Sequence, residues 1–344
     1  MRYRDAGVDI NAANRTKSQI KELVSRTFSS HVLRGFGAFG GFFSLKGVPP
    51  DAVLVSSMDG VGTKLKLAFA TNRHESVASD LVFHSVNDIA VHGAKPLFFL
   101  DYLATGKIRS KVVTDIVRGL SNACREVGCA LVGGETAQMP GFYAANEYDL
   151  AGCIVGWVRR RDILDGSRIR PGDVIIGLPS LGLHTNGYSL ARKVLIDQAG
   201  LRLSQRVPEL GRRLDEELLA AHRCYGSLLL SLHHKGWLTG LVHITGGGIT
   251  DNTPRILPAG CSAEIHLGSW PVPPIFNLIS HLGKVRQDEM FHTFNMGLGM
   301  LLIVPQENII HVSHALKRKK EKFWVVGKIV GGEPEVKYLA SRVD

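Results

Sequence analysis

The sequence lacks the features that would place it in a membrane or in a disulfide-rich class. No apolar run approaches the roughly 20 residues of a membrane-spanning helix, and the segment MRYRDAGVDI has no apolar signal-peptide core. The five cysteines form neither a CxxC pair nor a zinc-binding spacing. We therefore expect a cytoplasmic protein that has no membrane partner and whose thiols are buried or incidental.

Aromatic residues are also scarce, at 7% of the chain. None is interleaved with the densest basic cluster, KRKKEK at residues 317–322, although the formal net charge is +10. Nucleic-acid-binding surfaces usually combine both residue types. We therefore expect no nucleic-acid partner, and the positive charge is compatible with an anionic small-molecule substrate.

The length of 344 residues exceeds what one hydrophobic core usually supports. Strand-like and helix-like segments alternate along the chain, which predicts an α/β fold in two domains. A polar span from Arg159 to Gly172 reads as the hinge. We place the domains at residues 1–165 and 166–344.

The stretch Val53 to Lys64, VLVSSMDGVGTK, carries the strongest chemical signal. An apolar strand is followed by Asp59, by Gly60 and Gly62, and by a helix-like segment, so the backbone could approach a phosphate closely. Asp59 would repel a phosphate unless a divalent cation lay between them, which predicts a phosphate and magnesium site. The alternative on these residues alone is an ordinary glycine turn.

Other polar residues lie inside apolar patterns. Asn87 and Asp88 fall in a helix predicted from Ala78 to Gly93, and Asp88 could join Asp59 around the cation. We expect a short strand at Ala130–Val132 that ends in a double-glycine turn carrying Glu135. Hydrogen-bonded structure is the competing interpretation for each of these residues.

The segment Arg34 to Phe43, RGFGAFGGFF, combines four glycines with several phenylalanines. This composition predicts a mobile loop that closes over phosphate groups, with Phe39, Phe42 and Phe43 as apolar anchors. The alternative is an ordinary irregular connection.

The order of the motifs resembles that of a known family. Several motifs stand in the sequence order of the phosphoribosylformylglycinamidine cyclo-ligases, the aminoimidazole ribonucleotide synthetases of purine synthesis: YRDAGVDI, DGVGTK, VNDIAVHGAKPLFFLDY, GGETAQMPG, HTNGYSLAR, HITGGG and TFNMGLGM. The resemblance covers nearly the whole chain. It implies ATP and Mg²⁺ as cofactors and formylglycinamidine ribonucleotide as substrate. It also implies a homodimer, with N-terminal strands that form a barrel shared by two subunits and a C-terminal α/β domain.

The resemblance also implies roles for individual residues. Candidate catalytic residues are Lys21, Asp88 and His184, and candidate metal ligands are Asp59, Asp88 and Asn295. The substrate residues it implies are Thr185, Asn186, Gly246, Gly247 and Gly248. The ATP and phosphate residues it implies are Gly37, Gly40, Gly41, Asp59, Gly60, Gly62, Thr63, Lys64, Asn87, Gly133, Gly134 and Glu135.

Some positions depart from the family pattern. Met58 stands where Thr is common, Gln138 where Glu is common, and Ala38 replaces a loop glycine. The segment that often reads PTRIYVK is AHRCYGS at residues 221–227, which puts substrate contacts there in doubt. Two alternatives remain: another ATP-dependent synthetase or small-molecule kinase of the same superfamily, and a catalytically silent anion-binding protein.

Overall fold

The structure is a computed structural model that describes the backbone of residues 10–340 and the side chains from Thr16 onward. The chain divides into two compact units. The first contains the chain up to Ala90 together with Ala94–Arg161, and the second contains Val91–Gly93 and the chain from Asp162 onward. The family-implied role of each domain remains a prediction.

The first unit is built on a four-stranded mixed sheet. The strand order is β1, β4, β2, β3; β4 runs antiparallel to both β1 and β2, whereas β2 and β3 are parallel. Helices α3 and α4 pack against each other, α3 lies on β1, β2 and β4, and α1 lies on α4. The strands are β1 (Ala52–Gly60), β2 (Lys95–Thr105), β3 (Ala130–Gln138) and β4 (Tyr148–Arg159), and the helices are α1 (Ile10–Ser25), α2 (Leu65–Thr71), α3 (Glu75–Ala90) and α4 (Ser110–Val127).

Two strands are longer than the sequence pattern predicts. β1 continues through Asp59 to Gly60, and β3 continues through the double glycine to Gln138, so the expected turn at Gly133–Glu135 is wrong. The glycines there serve the sheet: a Cβ on Gly134 would lie 2.3 Å from Asp101 Oδ1 on the neighbouring strand. A glycine inside a strand often marks such a close approach rather than a turn.

One face of this sheet is covered by helices and the other is open. Along β4 the buried residues, such as Ile154, alternate with half-buried ones, such as Val155. Leu54 and Met58 of β1 are 57% and 70% exposed on the open side, and Tyr102 of β2 is 38% exposed. Because side chains alternate across a strand, these residues form one continuous apolar surface.

The second unit is built on a six-stranded sheet in the order β12, β9, β11, β5, β10, β8. All neighbours are antiparallel except β9 and β12. Every residue of β10 is buried, as expected of a strand covered on both faces. The main strands are β5 (Val174–Pro179), β8 (Gly240–His243), β9 (Cys261–Leu267), β10 (Leu298–Val304), β11 (Trp324–Gly331) and β12 (Val336–Ala340), and a two-stranded ribbon is formed by β6 (Arg206–Val207) and β7 (Arg212–Arg213).

Short helices complete the second unit. The longest are amphipathic and bury one face, as in α9, where Ile275, Phe276 and Ile279 are buried. The helices are α5 (Tyr188–Arg192), which continues as a π-helical turn to Gln198, α6 (Leu214–Leu218), α7 (Gly226–His233), α8 (Gly248–Asn252), α9 (Pro274–Gly283), α10 (Gln287–Thr293) and α11 (Ile309–Arg318).

Among the residues that the structure describes, no helix is both long enough and apolar enough to cross a membrane.

A buried ion pair joins the start of α2 to α3. Lys64 Nζ lies 2.6 Å from Asp80 Oδ2, and both side chains are fully buried. Removing one member of such a pair leaves a charge in the interior without its counter-ion, which typically destabilises a protein by about 3–5 kcal/mol. The pair therefore fixes the helix that begins at the glycine turn against α3.

Lys64→Met is expected to lower the free energy of unfolding by about 3–5 kcal/mol, because it removes the counter-ion of Asp80. Lys66 offers a matched control two residues away, since its ion pair with Glu147 at 2.6 Å is exposed. Lys66→Met should cost under about 1 kcal/mol. Urea unfolding of both variants measures the difference, and equal effects would show that the buried pair is not a structural support.

Candidate active site

In the first unit, strand β1 and helix α3 bring two carboxylates to one point. Ser57 Oγ lies 3.1 Å from Asp59 Oδ2 and 3.2 Å from Asp88 Oδ2. His84, one helical turn before Asp88, places Nε2 3.6 Å from the Asp59 carboxylate and 3.5 Å from that of Asp88. The structure thus brings together the two acids that the sequence predicts as metal ligands.

The two acids perturb each other. Burial, the hydrogen bond with Asp88 and the negative charge of Asp88 together raise the pKa of Asp59 to about 7, while the Ser57 hydroxyl opposes the shift. Two carboxylates that share one site cannot both ionise freely unless a cation is present. The pair is therefore a point where a cation would stabilise the ionised form of both acids.

The chemistry of this group fits a magnesium ion. Carboxylate and hydroxyl oxygens are the ligands that hard divalent cations prefer, and Asp59, Asp88 and Ser57 supply them within one cluster. His84 lies beside the carboxylates and is 7% exposed. A bound cation would relieve the repulsion that raises the pKa of Asp59.

The glycine turn that follows Asp59 is open to solvent. Gly60, Gly62 and Thr63 are exposed, Gly62 has a φ of +70°, and a Cβ built at Gly62 meets nothing within 4 Å. Lys64 does not project into this turn, because it is buried against Asp80. The open backbone leaves room for a phosphate, whereas a phosphate contact from Lys64 would require its ion pair to open.

Two further predicted residues differ in exposure. Lys21 lies on the exposed side of α1, and Asn87 is fully buried in α3. The exposed ammonium of Lys21 is available to an anion, and the burial of Asn87 fits a structural amide as well as a ligand-binding one. Both roles remain predictions.

Glu135 lies at the exposed edge strand β3, opposite Tyr102 in the register of β2 and β3. Asp59 and Asp101 instead share a cross-strand row, since both are paired with Gly152 of β4. With strands about 5 Å apart, the Cα atoms of these two acids are roughly 10 Å apart. Asp101 is an acid that the sequence analysis missed.

A cavity of about 110 Å³ lies between α1 and strand β3. Its polar lining includes Lys17, Asp101 and Glu135. Burial, together with the negative charge of Glu135, raises the pKa of Asp101 to about 7. The cavity is small beside the roughly 300–1,000 Å³ of most small-molecule sites, so it fits a few waters or one small group rather than a nucleotide.

The glycine-rich loop is closed at its base. Val32 and Phe43 form an isolated bridge, and Phe43 packs on Phe98 with ring centroids 5.4 Å apart. Phe39 is fully exposed, so it does not anchor the loop in this state, whereas Phe36 lines the cavity beside β3. Gly37 and Gly40 lie in open space, while Gly41 lies against Val132. The closing motion remains a prediction.

In the second unit, the segment after β5 carries the predicted catalytic histidine. His184 is fully buried and has a φ of +60°, an uncommon conformation for a residue with a Cβ. The Leu181 backbone N–H donates to His184 Nε2 at 3.0 Å. Gly299 makes room for the ring, since a Cβ there would lie 2.6 Å from His184 Cε1.

Asn295 holds the loop that contains His184. Its Oδ1 accepts hydrogen bonds from Ser180 Oγ at 2.9 Å and from the Gly297 N–H at 2.8 Å, and its Nδ2 donates to Gly182 O at 3.0 Å. Both ends of the amide are therefore engaged within the second unit. This arrangement supports a structural role, and the predicted metal contact would have to displace these bonds.

The predicted substrate turn TGGG begins after β8. Gly247 and Gly248 have φ values of +94° and +60°, and a Cβ on Gly248 would lie 1.9 Å from Phe291 O. Asn252 Nδ2 donates to Gly246 O at 3.1 Å and to Gly248 O at 2.8 Å. A Cβ on Gly246 would lie 3.3 Å from Asn186 Oδ1. Positions 247 and 248 therefore require glycine, and the turn brings Gly246 beside the predicted substrate residue Asn186.

The sequence analysis did not identify four residues that lie at or near these sites. The spacing of two of them, Ser57 and His84, could have indicated their position. Ser57 is two residues before Asp59 and so shares its strand face, and His84 is four residues before Asp88 and so shares its helix face. Asp80 and Asp101 gave no such signal, because their partners are distant in sequence.

Two family models cover most of the chain. The N-terminal domain of AIR synthase related proteins matches residues 43–158, and the C-terminal domain matches residues 170–338. The phosphoribosylformylglycinamidine cyclo-ligase of Trichlorobacter lovleyi is 50% identical over 328 residues, which are 95% of this chain and 94% of that protein. The chain belongs to the phosphoribosylformylglycinamidine cyclo-ligase family. The cyclo-ligase of Shouchella clausii is 48% identical over 335 residues, 97% of each chain.

Solved structures share the cyclo-ligase fold at low identity. Escherichia coli HypE matches with a TM-score of 0.71 and 17% identity over 96% of this chain and 94% of that one. Thiamine-monophosphate kinase from Stenotrophomonas maltophilia matches with a TM-score of 0.68 and 18% identity over 92% and 94%. These likenesses show the fold alone.

The raised pKa of Asp59 predicts a pH dependence of stability. Between the unfolded value near 4 and the folded value of about 7, the unfolded chain releases a proton that the native chain retains, so stability falls as pH rises. Asp88→Asn removes the repelling charge. In the absence of divalent cations, this variant should have a free energy of unfolding at pH 8 that is higher by about 1 kcal/mol. The effect is modest because solvent screens the repulsion at this partly exposed site.

Magnesium should stabilise the wild-type protein at pH 8, because a cation stabilises the folded state that binds it. It should stabilise the Asp88→Asn variant less, because that variant has lost one of the two proposed carboxylate ligands. Thermal unfolding at pH 5.5 and pH 8, with and without MgCl₂, measures both effects. Glu126→Gln, which changes an exposed acid at the end of α4, is the matched control. An unchanged magnesium response in Asp88→Asn would remove Asp88 from the site.

Proposed function

We propose that this protein is the ATP-dependent cyclo-ligase that converts formylglycinamidine ribonucleotide to aminoimidazole ribonucleotide, releasing ADP and phosphate, in purine biosynthesis. The observation that carries the proposal is the identity of about 50% to the Trichlorobacter lovleyi cyclo-ligase over 95% of the chain. The cluster of Asp59, Asp88 and Ser57 supports it, because such a cluster suits a nucleotide-bound cation.

The reaction proposed has two parts. The terminal phosphoryl group of ATP passes to the formamide-derived oxygen of the substrate, which makes that oxygen a good leaving group. An amidine-derived nitrogen then attacks the same carbon, the ring C–N bond forms and inorganic phosphate leaves. Phosphoryl transfer of this kind depends on positioning and on neutralising charge.

In this proposal the first unit binds the nucleotide. Asp59 and Asp88 would hold Mg²⁺, which supplies positive charge for the ATP phosphates. The exposed backbone at Gly60 and Gly62 faces the phosphates, and the glycine-rich loop at residues 34–43 covers them and excludes water. Lys21, exposed on α1, offers a cation to the transferring group.

The second unit contributes the substrate groups. Thr185 and Asn186 follow the buried His184, and the glycine turn from Gly246 to Gly248 lies beside Asn186. His184 is held in one orientation by the Leu181 N–H, which suits a group that must meet substrate in a defined geometry. We propose that these residues contact the ribonucleotide.

Turnover tests the assigned activity. Purified protein with formylglycinamidine ribonucleotide, ATP and MgCl₂ should form ADP and aminoimidazole ribonucleotide in equal amounts. Replacing the substrate by thiamine monophosphate, the substrate class of the kinase that shares the fold, should give no ADP above background. ADP without the aminoimidazole product would instead favour another ATP-dependent reaction, and no turnover at all would favour a silent anion-binding protein.

The open apolar face of the first unit supports a homodimer. Leu54, Met58 and Tyr102 are exposed on a sheet face that the described residues of one copy leave uncovered, and large exposed apolar patches usually mark an interface. A second copy of the same face would bury them and bring the strands of two subunits around a shared core. The barrel implied by the family resemblance is such an arrangement.

A homodimer should give twice the chain mass of 37.5 kDa in sedimentation equilibrium at micromolar concentration. Introducing charge through the double variant Leu54→Glu and Met58→Glu should shift the mass to the monomer, because buried charges at an interface are costly. Ile310→Glu, at an exposed apolar residue of α11, serves as the control. A wild-type monomer, or a dimer unaffected by the double variant, contradicts the proposed face.

A further inference from the structure

His222 lies in the segment AHRCYGS, which departs from the family pattern at that point. The side chain is buried, with 1% of its surface exposed, in the same unit as the predicted catalytic His184. A buried imidazole must satisfy two ring nitrogens, so its partners define its orientation. These partners connect His222 to the residues assigned above to the substrate.

One partner of His222 is a second buried histidine. His222 Nε2 lies 3.1 Å from Nε2 of His243, the last residue of β8, which is 6% exposed. A hydrogen bond between two ring nitrogens requires one to carry the proton and the other to accept it. The contact therefore links the tautomers of the two rings. His243 in turn directly precedes the segment that leads into the TGGG turn.

Two further contacts of His222 are with the His184 loop. The two rings stack with centroids 4.0 Å apart and an interplanar angle of 29°. Nδ1 of His222 lies 3.4 Å from Thr185 Oγ1, a long hydrogen bond. One side chain thus contacts the predicted catalytic residue, a predicted substrate residue and the strand end before the substrate turn.

We propose that His222 is a positioning residue: it sets the plane of the His184 ring through stacking and the tautomer of His243 through the shared hydrogen bond. The inference rests on the proposed function, since it assigns His222 to the same site. The tautomers are coupled along a line from Thr185 through His222 to His243. If Nε2 of His222 donates to His243, its Nδ1 accepts from the Thr185 hydroxyl, and the reverse arrangement inverts both bonds.

Threonine, the residue at this position of the family pattern quoted above, cannot form these contacts, because it has neither an aromatic ring nor a second nitrogen. His222→Thr removes the stack on His184 and the bond to His243. A small misplacement of reacting groups lowers the chemical step more than it lowers binding. We expect kcat to fall about tenfold and KM for the ribonucleotide to change by less than about twofold.

His222→Gln is the conservative variant. Its side-chain amide nitrogen reaches approximately the position of the imidazole Nε2, so it can keep a hydrogen bond to His243 while losing the stack on His184. We expect it to recover a part of kcat between the wild-type and threonine values. Both variants are checked for folding by thermal unfolding, and the glutamine variant carries the test if the threonine variant does not fold.

Imidazole ¹⁵N spectra give a readout that is independent of turnover. In the wild-type chain His243 should show one tautomer, and in His222→Thr its nitrogen shifts should move towards the average of an exchanging mixture. His233→Thr is the matched control, since His233 is a buried histidine of α7 in the same unit that, among the described residues, shares no hydrogen bond or ring contact with His184, His222 or His243. It should leave kcat and the His243 signals unchanged.

The outcomes separate the inference from the function on which it rests. Unchanged His243 signals in His222→Thr overturn the positioning role, even if kcat falls, and an unchanged kcat and KM overturn it as well. Absence of cyclo-ligase turnover in the wild-type chain defeats the proposed function, while the nitrogen spectra still decide whether His222 controls His243.

Discussion

The first unit depends on the close contact between helix α3 and strand β4. A Cβ on Gly152 would lie 3.1 Å from Leu81 Cδ2 of the helix, and one on Gly156 would lie 2.6 Å from Ile89 Cδ1 of the same helix. Only glycine allows the helix to lie this near the sheet. This close packing keeps Asp88 on the helix next to Asp59 on the sheet. The two carboxylates repel each other, and a bound cation would relieve that repulsion.

In the second unit, hydrogen bonds rather than charges fix the residues of the predicted site. His184 is fully buried and adopts a left-handed backbone conformation, which is stable only if the surroundings fix it. The amide of Asn295 joins Ser180, Gly182 and Gly297, so the start of the loop is tied to the segment that precedes β10. Rigid placement of polar groups is the usual requirement of a site that lowers a reaction barrier by positioning.

Periodicity predicted the elements better than it predicted their ends. The helix expected from Ala78 to Gly93 is α3, Glu75–Ala90, and the aromatic strand expected at residues 96–104 is β2, because apolar spacing reports which face is buried. The ends of β1 and β3 were placed too early. The glycines there suggested turns, yet inside a sheet the same residues allow neighbouring side chains such as Asp101 to approach.

The role of a motif residue depends on contacts with residues that are distant in sequence, and the motif alone does not show these contacts. The motif DGVGTK is as consistent with a phosphate-binding lysine as with a structural one; only the position of Asp80, sixteen residues later on α3, decides that Lys64 is buried in an ion pair. The sequence shows that residue 222 departs from the family pattern, but not which groups its side chain contacts. Those groups are the rings of His184, in the loop after β5, and of His243, at the end of β8. A motif specifies which chemistry is present, whereas the packing of distant segments determines which atoms face the ligand. The residues that depart from a family pattern are therefore the ones for which a structure adds most to the sequence.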